Sequence, residues 1–165
     1  MAFFLSNKQL QNNNIMSLEI TINTDIKAAM IARDKRKLEA LRAIKSALLL
    51  IKTGKDTAFA EIPEELELKT LQKLIKQRKE SARIYKEQNR DEAYEEEVYQ
   101  AGIIEAYLPE QMSDEDIVAV VADIISKTGA SSMKDMGKVM GMASKQLAGK
   151  ADNSLVSKIV REKLA

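Results

Sequence analysis

The sequence has 165 residues, 45% of them apolar, and its 26 basic and 25 acidic side chains leave a net charge of +1. This length allows one ordinary domain or two small ones, and the absence of Cys and His excludes disulfides, Cys/His zinc sites, a Cys nucleophile and an imidazole for proton transfer near neutral pH. With two Pro, six Gly and no Trp in a chain rich in Lys, Glu, Leu and Ala, the composition predicts an all-α helical bundle.

The amino-terminal segment and the apolar runs bear on location. Residues 1–15 lack the basic start, long apolar stretch and small-residue cleavage site of a secretory signal. Their Asn and Gln content and the Met at position 16 predict a disordered or non-native extension. The longest apolar run, ALLLI at 47–51, is far shorter than the ~20 residues of a membrane span. Because a chain without Cys also fits a reducing compartment, we expect a cytoplasmic protein with no membrane association.

Four helices are predicted between residues 16 and 110, which would form a larger N-terminal bundle. Apolar residues at intervals of four predict the first helix, over about residues 17–33. The second begins with an acidic cap and ends at a glycine, whereas the third begins with a proline at its first position. The fourth begins with an acid and ends before the next proline, which cannot continue a helix. The boundary residues are Asp34, Gly54, Pro63, Asp91 and Pro109.

Three shorter helices are predicted between residues 111 and 165, which would form a small C-terminal domain. Two of them begin with a Ser followed three residues later by an Asp, a pattern typical of a capping box. Glycines end both, and Asp152 or Asn153 caps the third. The pattern residues are Ser113 with Asp116, Ser132 with Asp135, Gly129 and Gly149. So short a unit buries only ~60% of its unfolded surface, and we expect it to lean on the larger bundle.

Charge is strongly segregated along the chain. Residues 24–60 hold nine basic and four acidic side chains, and residues 69–90 hold eight basic and two acidic ones. Residues 91–116 carry ten acids and no base, and the last 36 residues return to seven basic against three acidic side chains. Such blocks usually pair with one another or face water, and they suggest a binding surface only where one sign lines a single face.

The basic stripe of the third helix mixes both signs. Its cations recur at intervals of three, four or seven residues, but Glu80 and Glu87 lie in the same row. Mixed charge on one helix face favours a solvated surface with salt bridges over a nucleic-acid site. The cations are Lys69, Lys73, Lys76, Arg83 and Arg90.

The segment 133–148 predicts three strips on one helix. At 100° per residue, Met133, Met136 and Met140 fall on an apolar strip with Ala143 and Leu147. A strip of small residues follows, and a row of lysines lies beside it. Met142 falls on the exposed side. The small strip contains Gly137, Ser144, Ala148 and Gly141, and the row contains Lys134, Lys138 and Lys145.

Two interpretations of this helix remain open. Each interior Gly costs a helix about 1 kcal/mol relative to Ala, so Gly137 and Gly141 need a compensating role. Small residues beside cations would let a phosphate chain or another backbone come close to the helix. Alternatively, small residues permit tight helix packing within the protein, and lysines that border a core only solvate it.

Four segments resemble the GatB/YqeY family in the same order along the chain. They are RDKRKLEALRAIKSAL (33–48), LQKLIKQRKESARIYKEQNRDE (71–92), EAYLPEQMSDEDI (105–117) and TGASSMKDMGKVMG (128–141). That family joins a stand-alone helical protein with the tail of the B subunit of the tRNA-dependent amidotransferase. The resemblance implies an all-helical fold of a larger and a smaller bundle. It also implies a tRNA-contacting role for the smaller bundle, and at family level carbon–nitrogen ligase activity with glutamine as amido-N-donor.

The residues themselves favour no catalysis, and we leave enzymatic activity open. Releasing ammonia from glutamine needs an activated nucleophile, but Cys is absent and the Gly/Ser-rich run of an amidase has no counterpart here. No glycine-rich phosphate loop of the G-x-x-x-x-G-K-[ST] kind is present for ATP. We therefore predict no catalytic residue, no metal ligand and no cofactor.

Two functional hypotheses follow. The first is a non-catalytic module that binds tRNA or another structured RNA, with aminoacyl-tRNA or amidotransferase components as further partners. Its site would be the lysine row and Gly137 and Gly141, extended by Lys150 and Lys158. The second is an adaptor that docks a partner helix on the strip of Gly137 and Gly141.

Overall fold

The structure is a computed structural model that describes residues 17–54 and 61–165. Within these two ranges the chain forms seven α-helices, one short 3-10 turn and no β-strand, which confirms the predicted all-α class. The helices are α1 (Leu18–Ile31), α2 (Lys35–Thr53), α3 (Glu64–Glu87), α4 (Asp91–Glu105), α5 (Asp114–Thr128), α6 (Met136–Gln146) and α7 (Asn153–Leu164), and the 3-10 turn is Met133–Asp135. The extension predicted at 1–15 lies outside the described residues.

Three helices begin at the caps that the sequence predicts, whereas Pro63 lies one residue before α3 and α6 ends at Gln146, before the predicted Gly149. Asp34 accepts a hydrogen bond from the Lys37 backbone N–H at 3.0 Å and begins α2. Ser113 caps α5 in the same way, and Asp152 caps α7 through the Ser154 N–H at 2.6 Å. A side-chain oxygen that accepts from a free N–H of the first turn stabilises a helix by about 1 kcal/mol. Short-range sequence therefore sets most of the helix boundaries.

The first hydrophobic core is built by α1 to α4. α3 packs along α4, and α2 contacts both α1 and α4. Every described buried residue of this core lies between positions 22 and 104. The core residues are Ile22, Ala29, Leu41, Ile44, Leu48, Leu71, Ile75 and Ile104. Aliphatic side chains fill this core, as the scarcity of aromatic residues requires.

Polar contacts join the ends of these helices across the bundle. Arg36 donates to the Glu96 carboxylate at 2.7 Å, and its guanidinium lies 4.1 Å from the centre of the Tyr99 ring. The Tyr107 hydroxyl donates to the Asp25 carboxylate. Burial, together with this hydrogen bond, raises the pKa of Tyr107 above its usual value. The start of α2 is therefore bonded to α4, and the segment after α4 is bonded to α1.

A second hydrophobic core is built by α5, α6 and α7. Its buried residues all lie between positions 117 and 164, among them Val121, Val139, Val156 and Val160, which are fully buried. The two cores meet where the Met112 N–H donates to the Lys150 carbonyl at 2.9 Å and Gln72 donates to the Ala151 carbonyl at 3.0 Å. The division into units 16–110 and 111–165 stays a prediction.

The first turns of α3 contain a carboxyl group that weakens the fold when it ionises. Burial, together with the nearby carboxylates of Glu64 and Glu19, raises the pKa of Glu67 to about 7. An unfolded Glu titrates near 4.3, so the folded chain holds this proton more tightly than the unfolded chain does. The contribution of this proton to stability is fully present below pH 4 and is lost as the pH rises through 7.

A Glu67→Gln variant is therefore expected to be more stable than the parent only at high pH. Because water screens this half-buried group, we expect a gain of about 1 kcal/mol at pH 8.5, equivalent to a Tm rise of about 2–4 °C, and no gain at pH 4. Thermal melts followed by circular dichroism at the two pH values measure both quantities. Glu95→Gln, at an exposed position of α4, is the control for loss of one negative charge. Equal gains at both pH values would contradict the assignment.

Candidate nucleic-acid interface

A capping box fixes the start of the helix that the sequence singles out. The Asp135 carboxylate accepts from the Ser131 N–H at 3.0 Å and from the Ser132 N–H at 3.2 Å. These two backbone hydrogen bonds hold the pKa of Asp135 below its usual value. The box opens the 3-10 turn, and α6 proper begins only at Met136. Lys134 therefore precedes α6 and lies within this turn.

The apolar strip of α6 differs from the predicted one at one end. Val139, Ala143 and Leu147 are buried, and Met136 and Met140 pack partly buried against the same core. The inward position predicted for Met133 is wrong, because its side chain is 45% exposed. At 100° per residue the buried residues Val139, Ala143 and Leu147 are centred about 80° from Met133, which therefore falls at the edge of the strip. Val139, which the predicted strip does not include, is fully buried in the core instead.

The two glycines of the small strip lie open on the surface, whereas Ser144 and Ala148 are partly buried. Gly137 and Gly141 are exposed, and a Cβ atom added to either would meet no atom within 4 Å in the part of the chain that the structure describes. Tight packing against another described helix of this chain therefore does not explain these glycines. Met142, predicted to be exposed, is 42% exposed.

The lysine row also faces outward. Lys134, Lys138 and Lys145 are exposed, and no described carboxylate lies within 4.0 Å of their ammonium groups. The row is about 17 Å long, given the rise per residue of the two helix types. At one end of the row, Lys145 adds weakly to the effect of Lys69 in lowering the pKa of Glu65.

The two lysines predicted to extend the row have different surroundings. Lys150 is exposed in the turn after α6, with no carboxylate within 4.0 Å of its ammonium group in residues 17–54 and 61–165. Lys158 lies on α7, with its ammonium group 4.0 Å from Glu162. An exposed pair of this kind contributes little, so Lys158 remains accessible to an anion.

A basic groove that sequence reasoning missed lies between α3 and the start of α7. It has a volume of about 830 Å³. The salt bridges expected on α3 are present, because Arg83 pairs with both Glu80 and Glu87. The sequence shows the intervals of the α3 cations. No local pattern reveals the opposite wall, because its residues lie about 70 to 85 positions later in the chain. The cations that line the groove are Lys69, Lys73, Lys76, Lys79 and Arg83.

The described part of the chain offers neither a membrane span nor a metal site. No helix there is both long and apolar enough to cross a bilayer. In the same ranges, no three acidic side chains converge in a manner that would hold a metal ion. The cytoplasmic location stays a prediction.

Curated proteins with similar sequences fall into two groups. A subunit of the glutamyl-tRNA(Gln) amidotransferase of Methanobrevibacter smithii is 40% identical over 57 residues, which are 32% of this chain and 9% of that protein. Altered inheritance of mitochondria protein 41 of Meyerozyma guilliermondii is 39% identical over 88 residues, which are 53% of this chain and 44% of that protein. The protein of the same name from Clavispora lusitaniae is 32% identical over 113 residues, or 67% and 64% of the two chains.

The chain thus covers less than two-thirds of the length of each of these relatives. A family model, in contrast, matches nearly the whole of this chain. The model described as Yqey-like protein matches residues 19–164, which include all seven helices apart from the first residue of α1. The resemblance seen in the four sequence segments is confirmed, and the chain belongs to the YqeY family of Yqey-like proteins.

Proposed function

We propose that this protein is a non-catalytic helical module that binds tRNA or another structured RNA through phosphate groups on α6. One relative is named as a subunit of an amidotransferase that acts on glutamyl-tRNA(Gln), which supports RNA as the ligand class. The surface that binds it is the lysine row together with Gly137 and Gly141.

The open glycine strip is the observation that carries the proposal. With no Cβ atom and no described neighbour within 4 Å, the backbone at Gly137 and Gly141 can be approached closely by an extended anion. The adjacent ammonium groups have no carboxylate within 4.0 Å among the described residues, so they would contact the phosphates directly. Buried glycines and paired lysines would have excluded this role.

The chemistry of α6 favours contacts to phosphates over contacts to bases. The helix has no aromatic side chain on which a base could stack and no Arg that could bind an edge in a bidentate manner. Lysine ammonium groups act as point charges, which position a nucleic-acid backbone but do not specify sequence. We therefore expect affinity that depends strongly on salt and weakly on sequence.

Replacing Lys134, Lys138 and Lys145 together by Ala is expected to weaken RNA binding by about 50- to 150-fold at 0.15 M salt. This range follows if each lysine neutralises one phosphate and contributes about 0.7–0.9 to the slope of log K against log salt. The magnitude of that slope should accordingly fall by about 2–3. Filter binding with total tRNA at several salt concentrations measures both effects.

Two variants complete this experiment. The control replaces Lys27, Lys35 and Lys45, three exposed lysines of α1 and α2, by Ala and should bind like the parent. If the α6 triple variant also binds like the parent at physiological salt, the site is wrong. Gly141→Leu tests the adaptor alternative. If a partner helix docks on the glycine strip, this variant should lose binding of the partner protein at low and at high salt alike.

The adaptor alternative has one observation in its favour. Exposed Met133 and Met142 give the surface beside the lysine row an apolar margin on which a partner helix could pack. The carbon–nitrogen ligase activity expected at family level is not part of the proposal. Ammonia release from glutamine in the presence of ATP and charged tRNA would test that activity directly.

A further inference from the structure

The groove between α3 and the start of α7 carries more positive charge than its own acids neutralise. Five cations line it, against the carboxylates of Glu80, Glu105 and Asp152. Two of these acids are already paired, because Glu80 bonds Arg83 at 2.6 Å and Glu105 bonds Lys79 at 2.5 Å. The remaining acid, Asp152, caps α7.

Lys73 and Lys76 are the cations that remain available. Both are exposed, and no carboxylate within residues 17–54 and 61–165 comes within 4.0 Å of either ammonium group. Lys76 acts on the carboxylates of Glu80 and Asp152 only at longer range. An anion that enters the groove would therefore meet two ammonium groups that need not first release a partner.

The spacing of the α3 cations fits a chain of anions better than a single one. Residues 69 to 83 span about 21 Å of helix, and neighbouring cations are about 5–6 Å apart at their Cβ atoms. One inorganic phosphate would reach two of these groups at most. A backbone with successive phosphates would meet them in turn.

The groove and the lysine row adjoin at the start of α3. Lys69, the first cation of the groove, is 2.7 Å from Glu65, and that carboxylate lies within the electrostatic reach of Lys145. Leu68, on the same turn, lies so near Gly149, just after α6, that a Cβ atom added to this glycine would be 2.9 Å from the Leu68 side chain. One nucleic-acid strand could therefore pass from α6 into the groove.

The floor of the groove distinguishes an unpaired strand from a duplex. The apolar residues Ile75 and Leu108 line it; Ile75 is buried in the first core, and Leu108 packs partly buried against that core. A duplex presents phosphates and sugars on its outside and keeps its bases stacked within. A single strand can turn a base inward, and without an aromatic side chain in the groove the base would contact these aliphatic side chains by van der Waals packing.

We propose that the groove binds an unpaired RNA segment, with Lys73 and Lys76 on its phosphates and a base over Ile75 and Leu108. This inference rests on the proposed RNA-binding function and adds a second contact surface to it. The α6 surface would hold the backbone of a structured region, and the groove would hold an adjacent single strand.

The test compares a blunt RNA hairpin with the same hairpin that carries a six-nucleotide single-stranded tail. The Lys73→Ala/Lys76→Ala variant should bind the tailed RNA about 15-fold more weakly than the parent at 0.15 M salt, if each lysine neutralises one phosphate of a single strand. Its affinity for the blunt hairpin should stay within about twofold of the parent's, because this RNA has no single strand to contact Lys73 and Lys76. Lys27→Ala/Lys45→Ala is the control for loss of two exposed charges, and thermal melts confirm that all variants fold.

The outcomes separate this inference from the proposed function. If the groove variant binds both RNAs like the parent while the α6 triple variant loses both, the groove is wrong and the α6 proposal stands. If only the groove variant loses affinity, and only for the tailed RNA, the α6 proposal fails and the groove stands. Equal losses for both RNAs, or displacement of the tail by an acidic peptide of equal charge, would overturn the choice of an unpaired strand.

Discussion

A Gly149→Ala variant is expected to lose about 3 kcal/mol of unfolding free energy. Gly149 has a φ of +71°, where an L-residue costs about 1–2 kcal/mol because its Cβ crowds the following carbonyl oxygen. The added Cβ would also lie 2.9–3.1 Å from three side-chain carbons of Leu68 on α3. Overpacking of this kind costs about 1–3 kcal/mol. Urea unfolding followed by circular dichroism measures the loss.

Gly129 offers a matched control for the two parts of this loss. Its φ of +65° is nearly the same, but a Cβ there would meet no described atom within 4 Å. Gly129→Ala should therefore cost only the backbone part, about 1–2 kcal/mol. A cycle of Gly149→Ala with Leu68→Ala should show a coupling of about 1–2 kcal/mol. Equal losses at the two glycines, with no coupling, would contradict the contact with α3.

An Arg78→Ala variant is expected to lose about 2–3 kcal/mol, because it leaves a carboxylate buried without a cation. The Arg78 guanidinium lies 3.6 Å from Glu97 Oε2, and the two side chains are only 27% and 16% exposed. This oxygen is buried and has no hydrogen-bond partner in the described part of the chain. Removing one partner of a fully buried pair costs about 3–5 kcal/mol, and partial exposure reduces that value. Denaturant unfolding at neutral pH measures the loss.

Arg83 is the control for this prediction, since it lies on the same helix and also pairs with glutamates. Its side chain is 59% exposed, so Arg83→Ala should cost less than about 1 kcal/mol. An Arg78→Leu/Glu97→Leu variant should regain most of the stability, because the unpaired charge is gone. If Arg78→Ala and Arg83→Ala cost the same, the pair between α3 and α4 does not matter to the fold.

The sequence predicts the helices of this protein well because their signals are local. An N-cap bonds a backbone N–H two or three residues ahead, so Asp34, Ser113 and Asp152 can be identified from their immediate neighbours. The glycine after α5 needs only its own positive φ to end the helix. The composition then favours a helical bundle.

The features that sequence reasoning missed depend on residues far apart in the chain or on the exact centre of a buried helix face. The predicted apolar strip does not include Val139, and with Val139 the buried face of α6 is centred about 80° from Met133 at 100° per residue. The groove needs α3 and the start of α7 to face each other across about 70 positions. The cations of α3 alone are consistent with a solvated surface. Only with the opposite wall do Lys73 and Lys76 line a groove that a ligand can enter.

The turn between α6 and α7 bears on how the two cores respond to a ligand. Gln111 donates to the Gly149 carbonyl at 2.6 Å, Met112 to the Lys150 carbonyl and Gln72 to the Ala151 carbonyl, so three consecutive peptide groups accept bonds from earlier parts of the chain. Opening of the second core requires these bonds to break. An occupant that stabilises α6 therefore also suppresses local unfolding around Gln72, and slower amide hydrogen exchange in α3 would be its remote signature.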